Sequence, residues 1–212
     1  MSILDVQRQS RQGSYTPIEL VTPGGRVACR YWETDRPQRA CLWVPGAVGG
    51  WHSPARNLYP RLAEEFQEQG VASLQVRYRY PADLDECVAD VMAGLDFLQN
   101  EGVRRAGLIG HSFGGTVVIQ AAAACEIVRT VVALATQSYG ATRPAALLAP
   151  RCSILLAHGE ADEIVPPHCS LSVHDATRAC RKLAILPDAR HGLDEAADQL
   201  ADLIREWIAE RL

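Results

Sequence analysis

The chain has 212 residues, 48% of them hydrophobic, and a formal net charge of −4. That length buries a sizeable core, and residues 1–212 read as one domain with a polar lead-in over 1–14. A mildly acidic chain without clustered Lys or Arg has no electrostatic footprint for nucleic acid or an anionic membrane surface.

The stretch from Met1 to Gln12 is polar and lacks the apolar run of a secretory signal. No later run reaches the roughly 18 apolar residues that a membrane span needs. Seven cysteines (Cys29, Cys41, Cys87, Cys125, Cys152, Cys169 and Cys180) are odd in number and scattered, with no C-x-x-C pair. A disulfide framework or a zinc site would show paired spacing, so the expectation is reduced thiols in a cytoplasmic protein. No metal or organic cofactor is expected, and the chain reads as a monomer or homodimer.

Strand signals fall at 18–22, 27–32, 40–44, 71–76, 106–110, 130–135, 153–157 and 182–186. The turn Pro23-Gly24-Gly25 joins the first two as an antiparallel hairpin. The later ones are near-continuous apolar runs, as in strands of a parallel sheet covered on both faces. Helical spacing occupies 54–69, which stops at Gly70, and 84–100, which carries Val88, Val91, Leu95 and Leu98. Residues 112–125 are apolar nearly all round, which predicts a buried helix. Pro166-Pro167 opens a further helix, and 193–212 carries Ala196, Leu200, Leu203, Ile204 and Trp207 on one stripe. Alternation of strand and helix predicts an α/β fold: a mostly parallel sheet of about eight strands with helices on both faces.

Gly110-His111-Ser112-Phe113-Gly114 matches G-x-S-x-G, with Gly115 following. A strand signal enters the motif and a buried helix leaves it. In such a turn the flanking positions must be small because backbone and helix pass close by, and the serine hydroxyl is lifted to a helix N-terminus. Without that context the motif is a glycine-rich turn with an incidental serine.

A serine hydroxyl needs a histidine base, and the histidine needs an acid to hold its tautomer. His191 lies directly after the last strand and before the last helix, where a parallel sheet gathers its site residues. His111 sits inside the nucleophile turn and is expected to point away from the site if Ser112 points into it. His52 follows the third strand, His158 ends the seventh, and His168 and His174 fall on the helix after Pro166-Pro167. Among the carboxylates Glu160, Asp162, Glu163 and Asp188, the first choice is Asp162, which heads Glu163-Ile164-Val165-Pro166; Asp188 is second. Most loop acids serve as solvated charges or helix caps instead.

Two backbone donors should stabilise an oxyanion: the amide of Phe113 at the helix start, and that of Ala47 in Pro45-Gly46-Ala47-Val48-Gly49-Gly50. Trp51, His52, Tyr78 and Tyr139 fall on or beside loops at the strand ends and are candidates to line a substrate pocket. Aromatic side chains there serve equally often as packing groups.

These motifs, Gly110 to Gly115, His158-Gly159-Glu160-Ala161-Asp162-Glu163-Ile164-Val165-Pro166 and His191-Gly192, resemble the α/β-hydrolase superfamily over nearly the whole chain. The resemblance implies Ser112 as nucleophile, His191 as base and Asp162 as orienting acid, in the superfamily's chain order. It departs at Pro45-Gly46, where relatives often carry His-Gly. Residues 136–150 leave no room for an inserted helical lid. A small, lidless hydrolase is implied, similar to bacterial esterases, thioesterases and dienelactone-hydrolase-like proteins; the dienelactone type has cysteine where this chain has Ser112.

The implied activity is hydrolysis of a carboxylic ester or thioester of a small acyl group through an acyl-serine. The alternatives are acyl transfer or cofactor-free perhydrolysis on the same residues, or a catalytically silent ligand-binding module on the hydrolase fold.

Overall fold

The computed structural model describes residues 3–212. Its strands are β1 (Asp5–Arg8), β2 (Thr16–Thr22), β3 (Gly25–Trp32), β4 (Arg39–Val44), β5 (Ala72–Val76), β6 (Arg105–His111), β7 (Val128–Leu134), β8 (Ser153–Gly159) and β9 (Arg181–Leu186). They form one sheet in the order β1-β2-β3-β5-β4-β6-β7-β8-β9. The first three strands and the β3–β5 pair are antiparallel; β5 to β9 run parallel. The fold is that of the α/β hydrolases, with no cap domain among the described residues.

The helices are α1 (Pro54–Glu68), α2 (Leu84–Asn100), α3 (Phe113–Ala124), the short α4 (Thr142–Ala145), α5 (His168–Ala176) and α6 (Ala197–Arg211). Period-two alternation divides each central strand between two cores. Leu42, Leu74, Leu108 and Leu156 face α2 and α3. Trp43, Ile109 and Leu155 face α1 and α6, against Tyr59, Leu200, Ile204 and Trp207. Both faces of β4, β6 and β8 are therefore apolar, and their sequences read as unbroken apolar runs.

One expectation is corrected. The polar lead-in contains a ninth strand: Asp5–Arg8 pairs with Ile18–Val21 of β2. An edge strand with only Val6 turned inward carries no alternating apolar signal. The last helix also begins later than its stripe suggests, because Leu193 is left-handed (φ 60°) and a 3-10 turn, Asp194–Ala196, precedes α6.

Two local devices fix the loops at the carboxyl edge. After β5, Arg79 is held by the buried Asp90 of α2, whose carboxylate accepts from the Arg79 backbone N–H at 2.8 Å and from its guanidinium. Burial drives the Asp90 carboxyl up, against the hydrogen bonds from Arg79. At the start of α1, Ala55, Arg56 and Asn57 take left-handed backbone (φ 50°, 53° and 61°), and right-handed helix follows. This turn donates from Ala55 N–H to the Gly192 carbonyl (2.8 Å) and from Arg56 N–H to the Asp194 carboxylate (2.7 Å). The Ser53 hydroxyl accepts from Tyr59 N–H at 2.8 Å and caps the helix proper.

Replacing Arg79 by alanine leaves Asp90 buried without its cation. We expect Arg79→Ala to cost about 3–5 kcal/mol of unfolding free energy, measured by urea denaturation; a loss below about 1 kcal/mol would show that the pair does not hold the loop.

Candidate active site

The carboxyl ends of the parallel strands carry the loops in which the sequence places its reactive residues. Ser112 sits between β6 and α3 with φ 56° and ψ −121°, a strained conformation for a residue with a Cβ. The turn fits only around small neighbours. A Cβ on Gly110 would strike the Gly114 carbonyl, and one on Gly114 would strike that of Pro45. The Ser112 N–H donates to the Leu134 carbonyl (2.7 Å), tying the turn to β7. Phe113 opens α3, so its N–H has no acceptor within the helix.

The loop after β4 lies directly over this turn. A Cβ on Gly46 would stand 3.5 Å from that of Ser112. Gly49 N–H closes the loop on the Gly46 carbonyl at 3.0 Å, with Ala47 and Val48 exposed between them.

His191 and Asp162 meet from the loops after β9 and β8. His191 Nδ1 lies 2.8 Å from Asp162 Oδ2. A carboxylate only accepts, so Nδ1 carries the proton and Nε2 is left as the basic nitrogen. Asp162 Oδ1 accepts from the N–H groups of Ile164 and Val165, both at 2.9 Å. Burial opposes the charge on Asp162, but the hydrogen bonds from His191, Val165 and Ile164 outweigh it and hold the carboxyl below the usual carboxylate range. Asp188, Glu160 and Glu163 are all exposed, and none of them hydrogen-bonds to His191.

Ser112 and His191 line one cavity of about 380 Å³, together with Gly46, Ala47, Val48, His52, His111, Ile164 and Gly192. Among the described residues no direct hydrogen bond joins Ser112 Oγ to His191; such contacts commonly tighten only with substrate bound. A second hollow of about 350 Å³ lies on the outer side of His191, lined by Glu163, Arg190 and Glu195, and Ser112 does not reach it.

Of the four candidate lining residues, His52 lines the cavity. Trp51 does not: its ring lies 4.3 Å from the Arg30 guanidinium. Tyr139 is 83% exposed and stands outside the cavity. Tyr78 is buried edge-on to the Phe113 ring, with centroids 6.5 Å apart, and so packs beneath the turn. Position on a loop at the strand ends does not fix the direction in which a ring leaves that loop.

His111 corrects the expectation that it would point away. It lines the cavity, its ring lies 4.8 Å from that of His191, and its Nε2–H donates to the His191 carbonyl at 2.7 Å. Nε2 must carry the proton, because a carbonyl only accepts. Burial lowers the His111 pKa to about 4. Strand alternation alone could not show this, because the contact depends on the path of the loop after β9.

The sequence profile of the dienelactone hydrolase family matches residues 47–204. The chain belongs to the dienelactone hydrolase family. As a member of that family it is an α/β-type hydrolase. Its fold is similar to that of a dienelactone hydrolase from Anabaena variabilis (TM-score 0.78, 20% identity, 92% of this chain and 99% of that one). It is equally similar to Est1E from Butyrivibrio proteoclasticus (TM-score 0.79, 18% identity, 92% and 98%). The esterase domain of a Rhodothermus marinus protein has a TM-score of 0.75 at 18% identity, with 98% and 99% covered. No curated protein matches the sequence. Among the described residues no helix is long and apolar enough to cross a membrane, and no group of His, Cys, Asp and Glu is arranged to hold a metal ion.

The depressed His111 pKa has a stability consequence. The unfolded chain binds this proton first, so the contribution is complete above the ordinary value of 6.5 and is lost as pH falls toward about 4. Across that window the loss due to His111 is roughly 3 kcal/mol. Urea unfolding at pH 7 and pH 4 should show a smaller acid-induced loss in His111→Gln, which keeps an N–H for the His191 carbonyl but does not titrate. Equal losses in the two proteins would contradict this account.

Proposed function

We propose that the protein hydrolyses carboxylic esters or thioesters of small acyl groups through an acyl-enzyme formed on Ser112. The observation that carries this reading is the pairing of His191 Nδ1–H with a fully hydrogen-bonded Asp162, beside a cavity that Ser112 also lines.

In this reaction His191 Nε2 takes the proton of Ser112 Oγ as the oxygen attacks the acyl carbon. The carbonyl becomes an oxyanion, held by the N–H groups of Phe113 and Ala47, the two candidate donors beside the serine. The tetrahedral carbon then collapses and breaks its bond to the leaving oxygen or sulfur, which receives the proton from His191. Water repeats the sequence, giving its proton to His191 and its oxygen to the acyl carbon, and Ser112 is restored. Asp162 stays ionised throughout and stabilises the imidazolium.

A fluorophosphonate probe should label the wild-type protein at Ser112 and leave Ser112→Ala unlabelled. Asp162→Asn should lower turnover by about 10³–10⁴-fold, because an amide at that position favours the wrong tautomer. Asp188→Asn, altering an exposed side chain, should stay close to wild type. Labelling of Ser112→Ala at the wild-type level, or a reversal of the two aspartate results, would displace these assignments.

The cavity also bears on the acyl group. At about 380 Å³, with Val48 and Ile164 on an open rim, it encloses a compact acyl group and not an extended chain. Each further methylene contributes its ~0.8 kcal/mol only when buried. Est1E has been solved with ferulic acid bound, a compact ligand on a similar fold. Across p-nitrophenyl esters from acetate to palmitate at fixed detergent, kcat/KM should peak at short chains; a maximum at dodecanoyl or longer would overturn this prediction.

A further inference from the structure

His158, at the end of β8, has no role in the steps above, yet it is completely buried within hydrogen-bonding distance of Asp162. Its Nε2 lies 2.8 Å from the Val165 carbonyl and 3.2 Å from Asp162 Oδ2. Its Nδ1 lies 2.6 Å from the hydroxyl oxygen of Ser170, which is fully buried on α5.

The proton positions follow from the partners. A carbonyl and a carboxylate both only accept, so Nε2 carries a hydrogen; it donates to the Val165 carbonyl, with Asp162 Oδ2 beside it at 3.2 Å. Burial pushes the His158 pKa down, which favours the neutral ring. Nδ1 is then a bare acceptor, and the Ser170 O–H donates to it. Ser170 therefore selects the tautomer, and the tautomer sends an N–H to the Val165 carbonyl beside Asp162.

We propose that His158 is a positioning residue for Asp162, with Ser170 as its anchor. This rests on the reading that Asp162 orients His191. His158 holds the acid loop by its N–H to the Val165 carbonyl and stands 3.2 Å from the Asp162 carboxylate, and the Val165 N–H in turn donates to Asp162 Oδ1. Its N–H lies beside the oxygen that accepts from His191 and so bears on both where that oxygen lies and how much of its charge His191 receives. Removing the N–H leaves Oδ2 more basic toward His191, and an imidazolium there holds its proton to higher pH. The other titratable groups facing this pair are His111 from β6, His52 from the loop after β4, Glu163 on the acid loop, and Arg190, Asp194 and Glu195 beside His191. None of these hydrogen-bonds to Asp162 Oδ2.

The test uses the full chain with p-nitrophenyl acetate, comparing wild type, His158→Leu, His158→Gln and Ser170→Ala, with Ser112→Ala and His191→Ala as references. We expect His158→Leu to lower kcat about ten- to a hundredfold, the effect of losing a hydrogen bond to a charged group, with KM unchanged. The acidic limb of its kcat/KM profile should move up by about half a pH unit or more. His158→Gln, whose amide N–H reaches the same region, should recover most of the rate. Ser170→Ala should shift the limb in the same direction with a smaller fall in kcat.

A folded His158→Leu with wild-type kcat and an unmoved limb would overturn the proposal, as would a Gln variant no better than Leu. If His158→Leu fails to fold, a folded Ser170→Ala with an unmoved limb overturns it equally. In those cases loss of turnover in both references leaves the serine mechanism standing. Turnover retained in Ser112→Ala or His191→Ala removes both readings together.

Discussion

The carboxylate of Asp162 is shielded from water and receives N–H groups from Ile164, Val165 and His191, with His158 Nε2 standing 3.2 Å from Oδ2. A buried charge without such partners would be neutralised by a proton. Each donor that keeps it ionised also fixes a piece of chain: two close the acid loop on itself and one orients the His191 ring, while His158 ties the loop to the end of β8 through the Val165 carbonyl. The position of His191 is thus a consequence of how a single negative charge is satisfied.

That arrangement depends on the two-sided packing of the sheet. Leu42 and Trp43, Leu108 and Ile109, and Leu155 and Leu156 each send adjacent side chains into opposite cores. A shift of any of these strands by one residue would exchange the two sets and bury the wrong surface on each side. The register aligns the strand ends, and with them the turn at Ser112, the acid loop and the His191 loop. The glycines complete the alignment where backbones nearly touch. A Cβ on Gly159 would strike the Ala189 carbonyl, next to the segment that carries His191.

Much of this was legible in the residues. The apolar runs announced the central parallel strands because burial on both faces leaves a strong signal, and Gly110 to Gly115 announced the turn because so few residue types fit it. The order of Ser112, Asp162 and His191 placed all three at one edge of the sheet. Other features were hidden for identifiable reasons. Strand β1 is an edge with one inward side chain, so it reads as polar chain. His111 and His158 resemble ordinary strand-end residues until the loops that cross them are known. Trp51 and Tyr139 lie on the expected loops, but their rings leave in other directions. Periodicity reports which face of an element is buried, whereas the path of a loop is set by contacts distant in sequence.

The left-handed turn at Ala55 to Asn57 bonds the chain after β4 to Gly192 and Asp194, immediately beyond His191. The wall of the cavity that carries Ala47 and His52 is thereby fastened to the wall that carries His191, although the two are about 140 residues apart in the chain. The mouth of the cavity consequently behaves as a closed ring, not as two independent jaws. Reshaping it for a different leaving group by transplanting either loop alone would leave the other without its backbone partners, so the two segments form a single unit of inheritance and of engineering.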